Sequence, residues 1–182
     1  MTALTKAFQC FVGAWGFLNG TITNTTTGEL LPDWHSPYPS GISVYAPSGY
    51  FSYDVTANDT TQPEFRPRNV SLPAQPGDSV NAWATIAQHS LGGGGPFTLV
   101  NVTEGSNNNA TTWSNGTSSD GIRGTQLSTF RSATLPALVG VTLENEFEFF
   151  DRCDVHMLRS SPAPGTVQTA FFYRLPENAA TA

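Results

Sequence analysis

The sequence is poor in charge, and poorest in positive charge: Asp, Glu, Lys and Arg make up 12% of 182 residues, and Lys6 is the sole lysine. With a net charge of -6, the chain lacks the basic patch that phosphate backbones or anionic lipids require, so neither nucleic acid nor a membrane surface is expected as a partner. No apolar run approaches the roughly 20 residues of a bilayer-crossing helix, so no membrane span is expected. The opening TALTKAFQCFVGAW is too short and broken to read as a secretory signal. Cysteine is scarce as well. Cys10 and Cys153 are the only two, which excludes a cysteine-built zinc centre and a dense disulfide framework and leaves room for one bridge.

Catalytic signatures are equally thin. His35, His89 and His156 are scattered without the H-x-H or H-x-x-x-H spacing of a metal site, and no metal or cofactor is expected. The run Gly92 to Gly95 has neither the Lys nor the Ser/Thr of a phosphate-cradling loop and no helix pattern behind it, so it reads as a bulged or kinked strand. No G-x-S-x-G elbow occurs, and neither cysteine has an activating base beside it, which argues against nucleophilic catalysis.

What is present is a run of strand signals in a chain of the right length for one domain, 1–182. Ser43 to Tyr45 and Tyr50 to Val55 flank Ala46-Pro-Ser-Gly49, a turn with Pro at a preset φ and Gly where positive φ is needed, which predicts a hairpin. Further strands are predicted at Phe11–Thr23, Pro96–Thr103, Ile122–Arg131, Gly140–Phe150, Cys153–Arg159 and Thr166–Arg174, eight in all. In Leu143 to Phe149 the period is plain: Glu144, Glu146 and Glu148 fall on a wet side, and Leu143, Asn145, Phe147 and Phe149 on a buried one. Val80, Trp83, Ala84 and Ala87 recur at helical spacing behind Asp78 or Ser79, predicting one short helix over 79–88. Residues 57–77 and 105–121 read as long loops.

Eight strands with short links predict an all-β fold, an antiparallel barrel of eight or more strands, because closure removes the edges that a meander leaves exposed. Such a barrel encloses about one small ligand. Gly13-Ala-Trp15 resembles the G-x-W signature of lipocalin-type barrels, in which the Trp plugs the closed end and packs on an Arg of the last strand, here Arg174. The chain also resembles the lipocalin-like domain family: Phe11-Val-Gly-Ala-Trp15, then Gly41 to Ser52, Gly95-Pro-Phe-Thr-Leu-Val100 and Leu135-Pro-Ala-Leu-Val-Gly140 follow that family's order over nearly the whole length. Two family features are missing. No His precedes the Leu135-Pro136 step near Leu127, and Asn145 stands where an Arg is expected.

The resemblance implies a lumen. It assigns Phe51, Tyr53 and Val55 inward, and the aromatics Tyr45, Trp83, Phe97, Phe147 and Phe149 extend an apolar ligand lining. Tyr53 thereby places a phenol inside. His156 lies in a segment whose alternation does not tell its buried face, with the outward one slightly favoured, and Arg131 sits near the barrel mouth; either one, if inward, would orient an oxygen atom of a ligand. Trp34 and His35, on a Pro-rich connection, suit a lid. Some fungal proteins resembling this family are natural-product cyclases, including hetero-Diels-Alder cyclases that join an enone or quinone methide to an alkene. The resemblance thus implies a cofactor-independent cyclase acting on a small apolar intermediate, with Tyr53, His156 and Arg131 as its polar groups. The alternative is a carrier for a small hydrophobic ligand, with the same barrel and no turnover.

Two features bear on localisation. Acceptor sequons begin at Asn19, Asn24, Asn58, Asn69, Asn101, Asn109 and Asn115, against about two or three expected by chance. In a closed barrel, Cys10 and Cys153 come near enough for a bridge, the other reading being two buried thiols. A secretory-pathway protein is expected, with a cytoplasmic one as the alternative.

Overall fold

The computed structural model describes residues 1–31, 39–57, 80, 90–105, 119–161 and 163–177. The chain opens with a helix, α1 (Ala3–Phe11), and continues as ten strands: β1 (Gly13–Asn24), β2 (Leu30–Leu31), β3 (Pro39–Tyr45), β4 (Tyr50–Ala57), β5 (Ser90–Glu104), β6 (Ser119–Thr129), β7 (Ser132–Ala133), β8 (Thr142–Phe150), β9 (Val155–Ser160) and β10 (Thr166–Arg174). Every pairing is antiparallel, and β10 returns to β1, so that β1-β3-β4-β5-β6-β8-β9-β10 form a closed eight-stranded barrel. The short β2 and β7 continue the pairing beside β1 and β5. The barrel fits a lipocalin-like or calycin-like architecture.

The hairpin between β3 and β4 forms as its residues dictate. Gly49 takes φ +80, and the Ala46 and Tyr50 backbones close the turn with a 2.8 Å hydrogen bond. The four-glycine run lies inside β5, where other backbone crowds it: a Cβ on Gly95 would stand 1.9 Å from the Thr129 carbonyl oxygen, and one on Gly94 2.7 Å from that of Phe51. Only glycine lets the neighbouring chains approach this closely.

The N-terminus differs from expectation. Phe11 closes a helix instead of opening a strand, because Ala7, Cys10 and Phe11 at i, i+3 and i+4 bury one face, while the Thr2 hydroxyl accepts from the Thr5 N–H at the start. Strand geometry begins at Gly13, whose φ of +134 turns the chain sharply into β1. The expected wet face of β8 holds only in part. Glu144 and Glu146 are exposed, but Glu148 is 8% exposed and Phe150 beside it is buried, so the outer face is covered towards that end of the strand. Leu143, expected inside, is 37% exposed because it stands at the far end of the strand, beyond the core. The helix expected over 79–88, with Trp83, lies outside the described residues apart from the exposed Val80, and so do Trp34 and His35.

Candidate functional site

One end of the barrel is sealed by the start of β1 and the helix before it. Trp15 is wholly buried there; its Nε1–H donates to the Phe11 carbonyl at 2.8 Å, and the Arg174 guanidinium lies 4.3 Å from its ring centroid, a cation–π contact. Arg174 also donates to the carbonyls of Cys10, Val12 and Cys153, so one side chain ties the helix end, the β1 entry and the turn before β9 together. Cys10 and Cys153 form a disulfide across the same junction, with Cα atoms 5.4 Å apart. That turn holds Asp151, Arg152 and Cys153 at φ +52, +56 and +67, and the Asp120 carboxylate accepts from the Arg152 and Cys153 N–H groups at 2.9 and 2.8 Å. Asp120 fixes a conformation that side-chain-bearing residues avoid.

His156 is inside, not outside. Register with Phe149 and Phe172 places it on the inward row, fully buried, stacked on Phe172 at 4.8 Å and edge-on to Trp15 at 4.3 Å. Apolar neighbours on both sides of the strand, Val155 and Met157, hid this in the sequence. Burial pushes its imidazole down to about 3, with the nearby Arg174 charge a lesser cause, and neither ring nitrogen has a hydrogen-bond partner. The ring is therefore neutral at physiological pH and closed in by aromatic groups. Arg131 is the solvated charge that its place at a strand end suggests by default: it lies exposed on the bend between β6 and β7, its backbone N–H donating to the Gly94 carbonyl at 2.8 Å. The two side chains thus lie apart, His156 at the sealed base and Arg131 in solvent.

Above the Trp15 seal the interior is a floor of rings. Phe11 touches Tyr45, Phe97, Phe147 and Phe149 with centroids 4.8 to 6.1 Å apart. Phe51 stacks on Tyr53, and Phe130 meets both edge-on. Phe51, Tyr53 and Val55 share the inward face of β4, with Phe51 and Val55 buried. Tyr53 is only half-buried although it faces inward. The same holds for Phe17, which packs on inward Phe172, for Asn145 between inward neighbours on β8, and for Leu158 against the core. These inward residues keep partial access to solvent, whereas the rings below them do not.

The polar groups of this interior are neutral. Burial pushes the phenols of Tyr45 and Tyr53 up to about 12, so both are hydrogen-bond donors across the physiological range. Tyr45 is further influenced by Gln126, whose side chain lies close without reaching hydrogen-bond geometry. Ser43, Ser128 and Gln126 are buried polar residues on inward rows that the sequence pattern did not single out. No group of three His, Cys, Asp or Glu is arranged for a metal ion among the described residues. A separate open groove of about 450 Å³ lies on the outer face, between Thr23 and Asn24 on β1, Met157 and Arg159 on β9, and Val167 and Thr169 on β10.

No protein-family model matches the chain, and no curated protein does. A solved structure described as a redesigned β-barrel is similar at a TM-score of 0.39 and 12% identity, over 94% of this chain and 96% of its own.

Proposed function

We propose that the barrel takes up a small apolar molecule above the ring floor and promotes its cyclisation without a cofactor. The observation that carries this reading is Tyr53: an inward, half-buried phenol on an aromatic wall with Phe51 and Phe130, neutral because burial pushes it up to about 12. A concerted cyclisation needs its reacting ends held in attack geometry, which supplies up to about 7–11 kcal/mol in the best intramolecular cases. One neutral donor at a carbonyl oxygen lowers the barrier further without any proton leaving the protein. The resemblance to lipocalin-like natural-product cyclases supports the same chemistry.

A carrier without turnover is the second reading, favoured by the positions of His156 and Arg131. With one sealed at the base and the other in solvent, Tyr53 is the remaining lumen-facing member of the three polar groups. Native mass spectrometry of the protein from its host identifies a retained molecule, and turnover assays on it separate the readings. As a cyclase, the protein gives many product molecules per chain, and Tyr53→Phe lowers kcat about tenfold or more while Kd changes less than threefold. A ligand that leaves unchanged, or unaltered kinetics in Tyr53→Phe, removes the cyclase reading.

We further propose that the chain is a glycoprotein of the secretory pathway. The disulfide and the exposed sequon residues Asn19 and Asn101, each at a strand irregularity, support this. Intact mass before and after glycosidase treatment tests it.

A further inference from the structure

Gln126 is an anomaly in this interior. Its side chain is 1% exposed, on the inward row that β6 shares with Ser128 and that continues to Phe130, yet neither Nε2 nor Oε1 reaches hydrogen-bond geometry with a partner among the described residues. A buried carboxamide left unpaired is destabilising, and native proteins rarely leave one without an occupant to meet it. His156 has the same lack, but rings press on it from Trp15, Phe11 and Phe172, which gives a reason for its burial as a packing group. Gln126 is differently placed. Register sets it between Leu99 on β5 and Asn145 on β8; Asn145 is half-buried on the same inward side, and the Tyr45 phenol lies close to the carboxamide.

We infer that Gln126, at the floor of the lumen, anchors a neutral ligand that presents a hydrogen-bond donor and acceptor side by side, as a lactam does. This inference rests on the lumen-binding reading above. A carboxamide offers one acceptor and two donors in a single plane, and a lactam N–H and C=O meet it with two parallel hydrogen bonds. Charge is disfavoured in the ligand, because the groups around the floor, Tyr45 and Tyr53, are neutral phenols, and the Arg174 guanidinium is committed to backbone carbonyls and to Trp15. A pure hydrocarbon would offer the carboxamide no polar partner beyond the nearby Tyr45 phenol, so the site discriminates against it. The aromatic wall of Phe51, Tyr53 and Phe130 takes the rest of a flat ligand of this kind.

The test uses 2-quinolone and N-methyl-2-quinolone, which share shape and carbonyl but differ in the N–H. Binding is followed by tryptophan fluorescence and native mass spectrometry in wild type, Gln126→Leu and, should that variant fold poorly, Gln126→Met. Wild type is expected to prefer the N–H compound by about tenfold or more, and the variants to bind both alike. The variants are also expected to melt at the same or higher temperature, since an apolar side chain of similar shape removes the unpaired atoms. A preference that persists without Gln126, or none in wild type, overturns the anchor and leaves lumen binding standing. Variants that gain stability with no change in selectivity assign the carboxamide to a buried water and overturn the proposal equally. Failure of both compounds to bind wild type removes the lumen reading itself, and the anchor with it.

Discussion

His156 makes the fold sensitive to acid. Its folded-state value, pushed down to about 3, lies below the ordinary histidine value of 6.5, so between these limits the unfolded chain binds a proton that the folded chain refuses. Stability is therefore present above about pH 6.5 and is lost as pH falls towards about 3. Denaturant midpoints at pH 7 and pH 4 are expected to differ more for wild type than for His156→Phe, whose ring suits the Trp15 and Phe172 neighbourhood without titrating. An equal loss in both proteins would place the effect on the carboxylates. At this scale the base of the barrel is a set of mutual constraints: Trp15 needs Arg174, Arg174 needs the carbonyls around the disulfide, and Asp120 holds the turn that presents one of them.

Among the elements, β5 is the strand with least freedom to change. The Gly95 position has no room for a methyl group, with the Thr129 carbonyl oxygen 1.9 Å from where Cβ would stand, and relief would require β5 and β6 to separate. Gly95→Ala is expected to destabilise by more than about 2 kcal/mol, read from urea denaturation, whereas alanine at Gly28, which has nothing within 4 Å, is expected to lose about 1 kcal/mol through its φ of +71 alone. The eight barrel strands were legible because turn residues bound each run and, in β8, alternation shows an inward row. Helix α1 was not, because Ala7, Cys10 and Phe11 form only one buried turn and run straight into the Gly13–Trp15 strand signal. Interior polar residues were illegible for a different reason: Gln126 and Ser128 alternate with Thr125 and Leu127, and a polar residue on an inward row has the same period as one on an outward row. Tyr53 could be read inward only because Phe51 and Val55 flank it at period two.

Over the whole molecule, the disulfide joins the helical seal to the turn before β9, a sequence separation of 143. Cross-linking so long a loop restricts the unfolded chain, and a Cys10→Ser, Cys153→Ser double variant is expected to lose about 2–4 kcal/mol by denaturant unfolding. Far-UV circular dichroism should stay that of a β protein, because Arg174 and the β1–β10 pairing hold the same junction independently. A loss of β signal would mean that the covalent link, not the pairing, closes the barrel. The order of the strands adds a constraint on birth. Each strand except β1 finds its partner next to it or nearly so along the chain, whereas β1 must wait for β10, the last strand of the barrel, before its second edge is covered. During synthesis the emerging protein is an open, curling sheet with two sticky margins, and these meet only once Thr166–Arg174 has left the ribosome.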